Sequence, residues 1–349
     1  MVCRVPQSPQ PALLTRRLAM ALEPVAGQVY FSPECHTAYQ SLGFAPSPGV
    51  LPTGVQLPDG PAYFTSRGSV MGQVPGQLVA AAFAVFNPEV VVPAVSFGWS
   101  ITDAATVCAA RTSGAVGQLE RVLGSAPAGL ARATELLHRA VAPLRPEGRP
   151  LFAGLLSLGL PGDPLGDMWR LADVLREYRG DAHTAAWTAC GLDATEIGLL
   201  SELYWGLPPR SYVRTRAWSD GQLDAAQARL RQRDLLDGDG LSARGREFRE
   251  AIEMTTDLPC VLIVETLGVD GVEELISLLM PWGAAIREAA GYPPQGPHDL
   301  EPLRKSNGRC SVPRPGVMNR ACPGSWTWAV CHTLAGLMMA WPGVRAITR

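Results

Sequence analysis

The chain contains no Walker loop, no GxGxxG, no GxSxG and no HExxH. Each absence removes a class of chemistry: nucleotide and dinucleotide binding, serine hydrolysis and zincin-type metal hydrolysis lose their sequence support. Charge is also scarce. Only 18% of the 349 residues are charged and the formal net charge is -2. No global field therefore draws the protein to nucleic acid or to an anionic membrane, and any such partner must be met by a local patch.

Long apolar runs are missing as well. The longest candidate, Trp328 to Trp341, is interrupted by Cys331, His332 and Thr333, short of the roughly 18 apolar residues a membrane span needs. Prolines break up the first 24 residues before a secretory core can form. The expectation is a cytoplasmic protein without a membrane partner. Eight cysteines occur without a CxxC pair, which reads as free thiols, most of them small buried hydrophobes. His298, Cys310, Cys322, Cys331 and His332 match no zinc spacing, and Cys35 and His36 are adjacent rather than facing. No metal site is expected and no cofactor is assigned.

What is present is helical periodicity in a chain that is 47% hydrophobic, enough for two domains or one elaborated one. Leu18, Leu22, Val25 and Val29 space a first helix, with Pro24 expected to kink or end it. Ser32-Pro33-Glu34 gives a helix start, and Phe44 to Pro61 a Pro/Gly-rich loop. The segment VPGQLVAAAFAVFNPEVV is expected to be a short buried helix stopped by Asn87 and Pro88, followed by helices over 101–124 and 128–141. In LREYRGDAHTAAW, Gly180 is expected to end one helix and Asp181 to cap the next, with His183 at its second position.

Further on, Thr195 and Glu196 open a helix and Ser219 caps another. RDLLDGDGLSARG then forms a tight hairpin before a helix over 242–255. The expected fold is mainly α: a helical N-terminal half, a MarR-like winged-helix segment and C-terminal helices. The expected boundaries are 1–12 as a disordered N-terminus, 13–166 helical, 167–257 winged-helix-like, 258–291 C-terminal helices, and 292–349 as a poorly ordered Pro/Cys-rich tail.

Arg233-Asp234-Leu235-Leu236, the turn Asp237-Gly238-Asp239-Gly240 and Leu241 to Arg246 resemble the recognition-helix end, wing and following helix of MarR-type regulators. Over roughly 13–293 the chain is similar to the actinobacterial SalK-like helix-turn-helix family. The matching stretches are LEPVAGQVYFSPE, YFTSRGSVMGQV, VFNPEVV and LREYRGDAHTAAW. The resemblance implies a fold, a setting in actinobacterial specialised metabolism, and no settled activity. Relatives carry Glu-Pro-x-His where this chain reads Glu23-Pro24-Val25-Ala26, so any chemistry resting on that histidine is absent here.

Two readings of function follow. For DNA, Arg210 to Asp257 holds nine arginines against nine acidic residues, and Asp220, Asp224, Asp237 and Asp239 lie where phosphates would repel them. This disfavours nucleic acid and leaves Arg229, Arg231 and Arg233 as candidate backbone contacts of a ligand-responsive regulator. The other reading is a pocket for a small organic ligand lined by Tyr30, Phe64, Arg67, Trp99, Arg179 and His183. In it Arg67, expected on a loop, clamps an anion, and His183 at a helix N-terminus stays neutral. Whether that pocket performs a reaction is left open. The stripe Leu275, Leu278, Leu279 and Trp282 suits either a homodimer or the core.

Overall fold

Local capping signals set most helix starts. The structure is a computed structural model that describes residues 10–293. The expectations for the first nine residues and for the segment beyond 293, including His298, Cys310, Cys322, Cys331 and His332, lie outside the described residues.

Helix α1 (Gln10–Gly27) runs one residue triplet past Pro24 and closes in a 3-10 turn, Gln28–Tyr30. Ser32 caps α2 (Pro33–Ser41) by accepting from Cys35 N, and Asp59 caps α3 (Gly60–Gly68) from Ala62 N, each worth about 1 kcal/mol. The Pro/Gly-rich loop thus ends within two residues of the expected Pro61, but Arg67, expected on a loop, sits on α3 instead. Helix α4 (Gly76–Phe83) stops at Ala84. Asn87 and Pro88 do not stop it; they start α5 (Pro88–Ile101), with Asn87 as cap and Pro88 in the first turn. The correction has a simple cause: a proline lacks the N–H that a first-turn residue leaves unbonded anyway.

Helices α6 (Ala104–Leu123), α7 (Leu130–Val141) and α8 (Pro150–Ser157) complete the N-terminal body. Then follow α9 (Pro164–Ala189), α10 (Ala194–Tyr204) and α11 (Asp220–Gln232). A hairpin of β1 (Leu236–Asp237) and β2 (Gly240–Leu241) leads into α12 (Ala243–Asp257) and α13 (Val261–Glu288). The hairpin pairs Leu236 with Leu241 and Asp237 with Gly240. The described chain is mainly helical. Among the described residues no single helix is long and apolar enough to cross a membrane.

Two large hydrophobic cores form, beside a small cluster of Leu51, Val55 and Leu57. The larger gathers Leu18, Leu119, Leu137, Met168 and Leu275 among others. The smaller gathers Trp187, Ile197, Leu200, Leu223, Leu230 and Ile252. Helix α1 packs along α13 and α9. It comes close to α13 at Gly283, where a Cβ would lie 2.7 Å from Pro24 Cγ. Leu275 and Leu279 are fully buried and Trp282 nearly so. The apolar stripe of α13 is thus spent on α1 and α7 within the chain. Cys35, Cys108 and Cys260 are buried free thiols, and Tyr292, placed in the tail by the sequence reading, is buried in the larger core.

Candidate functional site

Helix α9 continues straight through Gly180 to Ala189, so the expected junction does not exist. A mid-helix glycine costs only about 1 kcal/mol, while α9 buries Met168, Leu171 and Leu175 in one core and Ala186 and Trp187 in the other. Packing at both ends overrides the local stop. Gly180 serves close approach instead: a Cβ there would lie 3.3 Å from Glu177 Oε2. Asp181 does cap a helix, but a different one. Its Oδ2 accepts from Phe152 N at 3.0 Å, in the first turn of α8.

His183 likewise sits mid-helix, so the expected dipole effect has no helix start to act from. Its Nδ1 lies 3.0 Å from Thr256 Oγ1, whose own proton goes to Ile252 O at 2.8 Å. The threonine therefore accepts, and His183 Nδ1 donates.

Where the two cores meet, the chain forms a cavity of about 190 Å³ that is partly open to solvent, an order of magnitude above the about 10–15 Å³ that one buried water needs. Helices α1, α3, α4, α9, α10 and α12 contribute to its wall. Aromatic surface comes from Tyr63, Phe83, Phe86, Trp187, Trp205 and Tyr212.

Charge on the wall is organised around Glu177. Arg67 pairs with it through two hydrogen bonds of 3.0 and 2.9 Å, and Arg176 Nη1 adds a third at 2.8 Å. Arg176 also holds Glu23 at 2.9 and 3.2 Å, and Tyr292 donates to the same carboxylate at 2.9 Å. Burial alone would push Glu177 up, but Arg67 and Arg176 hold it below its usual range. Asp181 has no such pair, and burial pushes it up to about 7.

The cavity brings together three of the six residues expected to bind a ligand: Arg67, Arg179 and His183. Tyr30 stands behind the wall, its hydroxyl 3.4 Å from Glu177 Oε1. Phe64 packs in an aromatic cluster with Phe83 and Phe86. Trp99 lies elsewhere and donates to Val74 O at 2.8 Å. Arg67 is no free anion clamp, because Glu177 occupies it and its guanidinium also lies 4.5 Å over the Phe83 ring. Arg179 is committed to Asp257 and Glu253 at 2.8 and 2.7 Å, tying α9 to α12, and Arg16 on α1 grips Asp257 from the other side at 2.7 Å.

Sequence reasoning missed Arg249, Arg216 and Trp187. Arg249 is 1% exposed. Its Nη2 reaches Glu253 at 2.7 Å and Ser201 Oγ at 3.2 Å, and its guanidinium stacks 5.0 Å over Tyr204. Its Nε and Nη1 have no acceptor among the described residues, nor do Arg216 Nε and Trp187 Nε1. The one available signal was the spacing Arg249, Glu253, Asp257 on a single face of α12, which marks a charged face turned inward. Among the described residues no three His, Cys, Asp or Glu side chains gather around a metal position.

The arginines named for DNA are largely engaged with the protein. Arg229 binds Glu196 at 3.0 Å and also Asp193, and Arg233 donates to the carbonyls of Cys190 and Gly191 at 3.2 and 3.3 Å. Arg231 is exposed. Asp220 and Asp224, at the start of α11, pair with Arg214 and Arg210.

Compared with curated proteins and with solved structures, the chain matches none. Residues 15–293 match a family described as a helix-turn-helix family, a span covering most of the chain, and the protein belongs to that family.

Proposed function

We propose that this helix-turn-helix protein binds a small organic ligand in the cavity between its two cores, and that helices α10 to α12 with their hairpin form a degenerate MarR-like winged helix beside it. The observation that carries the reading is the cavity itself. It lies where the smaller core abuts the larger one, and it joins a wall of aromatic rings to a fixed set of ion pairs. Such a combination of apolar surface and a few oriented polar groups is the usual build of a ligand pocket.

Ala19 of α1 lines the cavity and is partly exposed, so Ala19→Phe fills the space without displacing a core side chain. Ligands from a chemically diverse set are expected to raise the thermal midpoint of the full chain by a few degrees. The same compounds should leave Ala19→Phe unmoved. A variant that responds like wild type, or a wild type that responds to nothing, overturns the reading.

Family membership supports a second reading, a DNA-binding regulator. Arg231 carries it, since Arg229 and Arg233 are held by protein acceptors. Retention on random-sequence duplex DNA is then expected to be weak, with a salt slope near one released counterion. Arg231→Ala should abolish it. A slope of several counterions would put the regulator first.

A further inference from the structure

The unpartnered polar atoms of the cavity wall are all donors. Arg249 Nε and Nη1, Arg216 Nε and Trp187 Nε1 lack acceptors among the described residues, and all three residues line the cavity. Arg249 and Trp187 are 1% and 4% exposed, so bulk water does not satisfy them. A buried donor left without an acceptor is costly, and a buried guanidinium more so.

Charge leans the same way. Among the described residues Glu253 is the single carboxylate paired with Arg249, and it is shared with Arg179, which lies between it and Asp257. Arg216 forms no ion pair among the described residues. Its Nη1 donates to Thr215 Oγ1 at 3.2 Å and its Nη2 to the Tyr212 hydroxyl, which leaves Nε open, and it stacks over Phe86 at 4.6 Å and Tyr212 at 4.3 Å. Of the remaining wall acids, Glu23 and Glu177 are taken up by Arg176 and Arg67, while Asp181 accepts from Phe152 N and is pushed by burial toward its neutral, protonated form. What the wall lacks is therefore an acceptor carrying negative charge, next to aromatic surface.

Resting on the reading of the cavity as a ligand site, we infer that its ligand is an aromatic or strongly apolar organic anion. Its carboxylate or phosphate accepts from Arg249, with Trp187 Nε1 and Arg216 as the neighbouring donors, and its apolar body lies against Phe83 and Phe86. A guanidinium with unfilled N–H positions suits such an oxyanion, and the rings suit the rest of the molecule.

The test uses the full chain and probes matched in shape: 2-naphthoate, naphthyl phosphate, the neutral 2-naphthamide and the cationic 2-naphthylmethylamine. Binding is read by calorimetry. One or both anions are expected to bind, with the amide about tenfold weaker or more and the amine absent. Naphthoate against naphthyl phosphate tells which oxyanion the site takes. Arg249→Met should weaken the anion about tenfold or more, and the fold should hold because Glu253 keeps Arg179. Trp187→Phe, which removes one N–H and keeps a ring, provides the second variant and should weaken the anion by a smaller factor of about three to ten. If the amide or amine binds as tightly as the anions, or if both variants bind as wild type does, the anion inference falls and the cavity stands as a site for another ligand class. If no probe of any charge binds while unrelated compounds raise the thermal midpoint, the inference again falls alone. Failure of both experiments removes the ligand reading with it.

Discussion

Glu177→Ala is expected to cost about 3–5 kcal/mol of folding stability, the usual penalty for removing one partner of a buried ion pair. The carboxylate is 2% exposed and receives three guanidinium hydrogen bonds. Without it, Arg176 still has Glu23, but Arg67 keeps only the Tyr63 hydroxyl at 3.3 Å and the Phe83 ring. A positive charge would then be left buried and uncompensated, with Arg176 close by. Against a total stability of about 5–15 kcal/mol this loss is large. Urea unfolding measures it, and Glu177→Gln, which keeps an acceptor and drops the charge, should fall between the two. A loss under about 1 kcal/mol for the alanine variant would mean that the network contributes little to the fold.

Asp181→Asn should act in the opposite direction above neutral pH. In the folded chain burial raises the Asp181 carboxyl to about 7, against an ordinary value of 3.8. Between those values the native state holds a proton that the unfolded state has released. Stability must then fall as pH rises from about 4 to about 7, and level off beyond. A shift of this size corresponds to a few kcal/mol, roughly. Asparagine cannot ionise, and its side-chain oxygen can still accept from Phe152 N. The variant should lose that part of the slope and be more stable than wild type at pH 8. Glu202, buried and likewise raised to about 7, gives a slope of the same sign, so the difference between variant and wild type isolates Asp181. An unchanged slope, or a variant less stable at pH 8, would place the ionised form of Asp181 in the native state.

Much of the helical order was legible because helix starts are local. Ser32, Ser219 and Ser242 each cap the helix that the sequence placed after them. The same local logic failed at Gly180 and at Asn87-Pro88. Glycine and proline signals are ambiguous by themselves, and at Gly180 it was burial in two cores that decided the outcome. The candidate site was far less legible. Arg67 meets Glu177 across 110 positions and Arg176 meets Glu23 across 153, so no window of sequence contains either pair. Arg179 and His183 could be picked out as polar residues in an apolar stretch. Nothing in that stretch showed that α12 supplies their partners, or that Arg249 on the same helix would be left with open donors. Trp99 was expected to line the pocket because of the family resemblance of its half of the chain, yet its indole N–H is used to fasten the Val74 carbonyl.

The continuity of α9 also bears on how the molecule divides. One rod of 26 residues enters the larger core with Met168, Trp169 and Leu175 and the smaller with Ala186 and Trp187. A cut at 166, where the sequence suggested a boundary, would carry the rod away with the smaller part and strip a row of large side chains from the larger one. The detached piece would display that row to water as a sticky apolar flank, and the remainder would be left with a trench. The two cores are therefore not expected to express as independent domains. They share a spine, and loosening of either end is expected to register at the other as a single cooperative event.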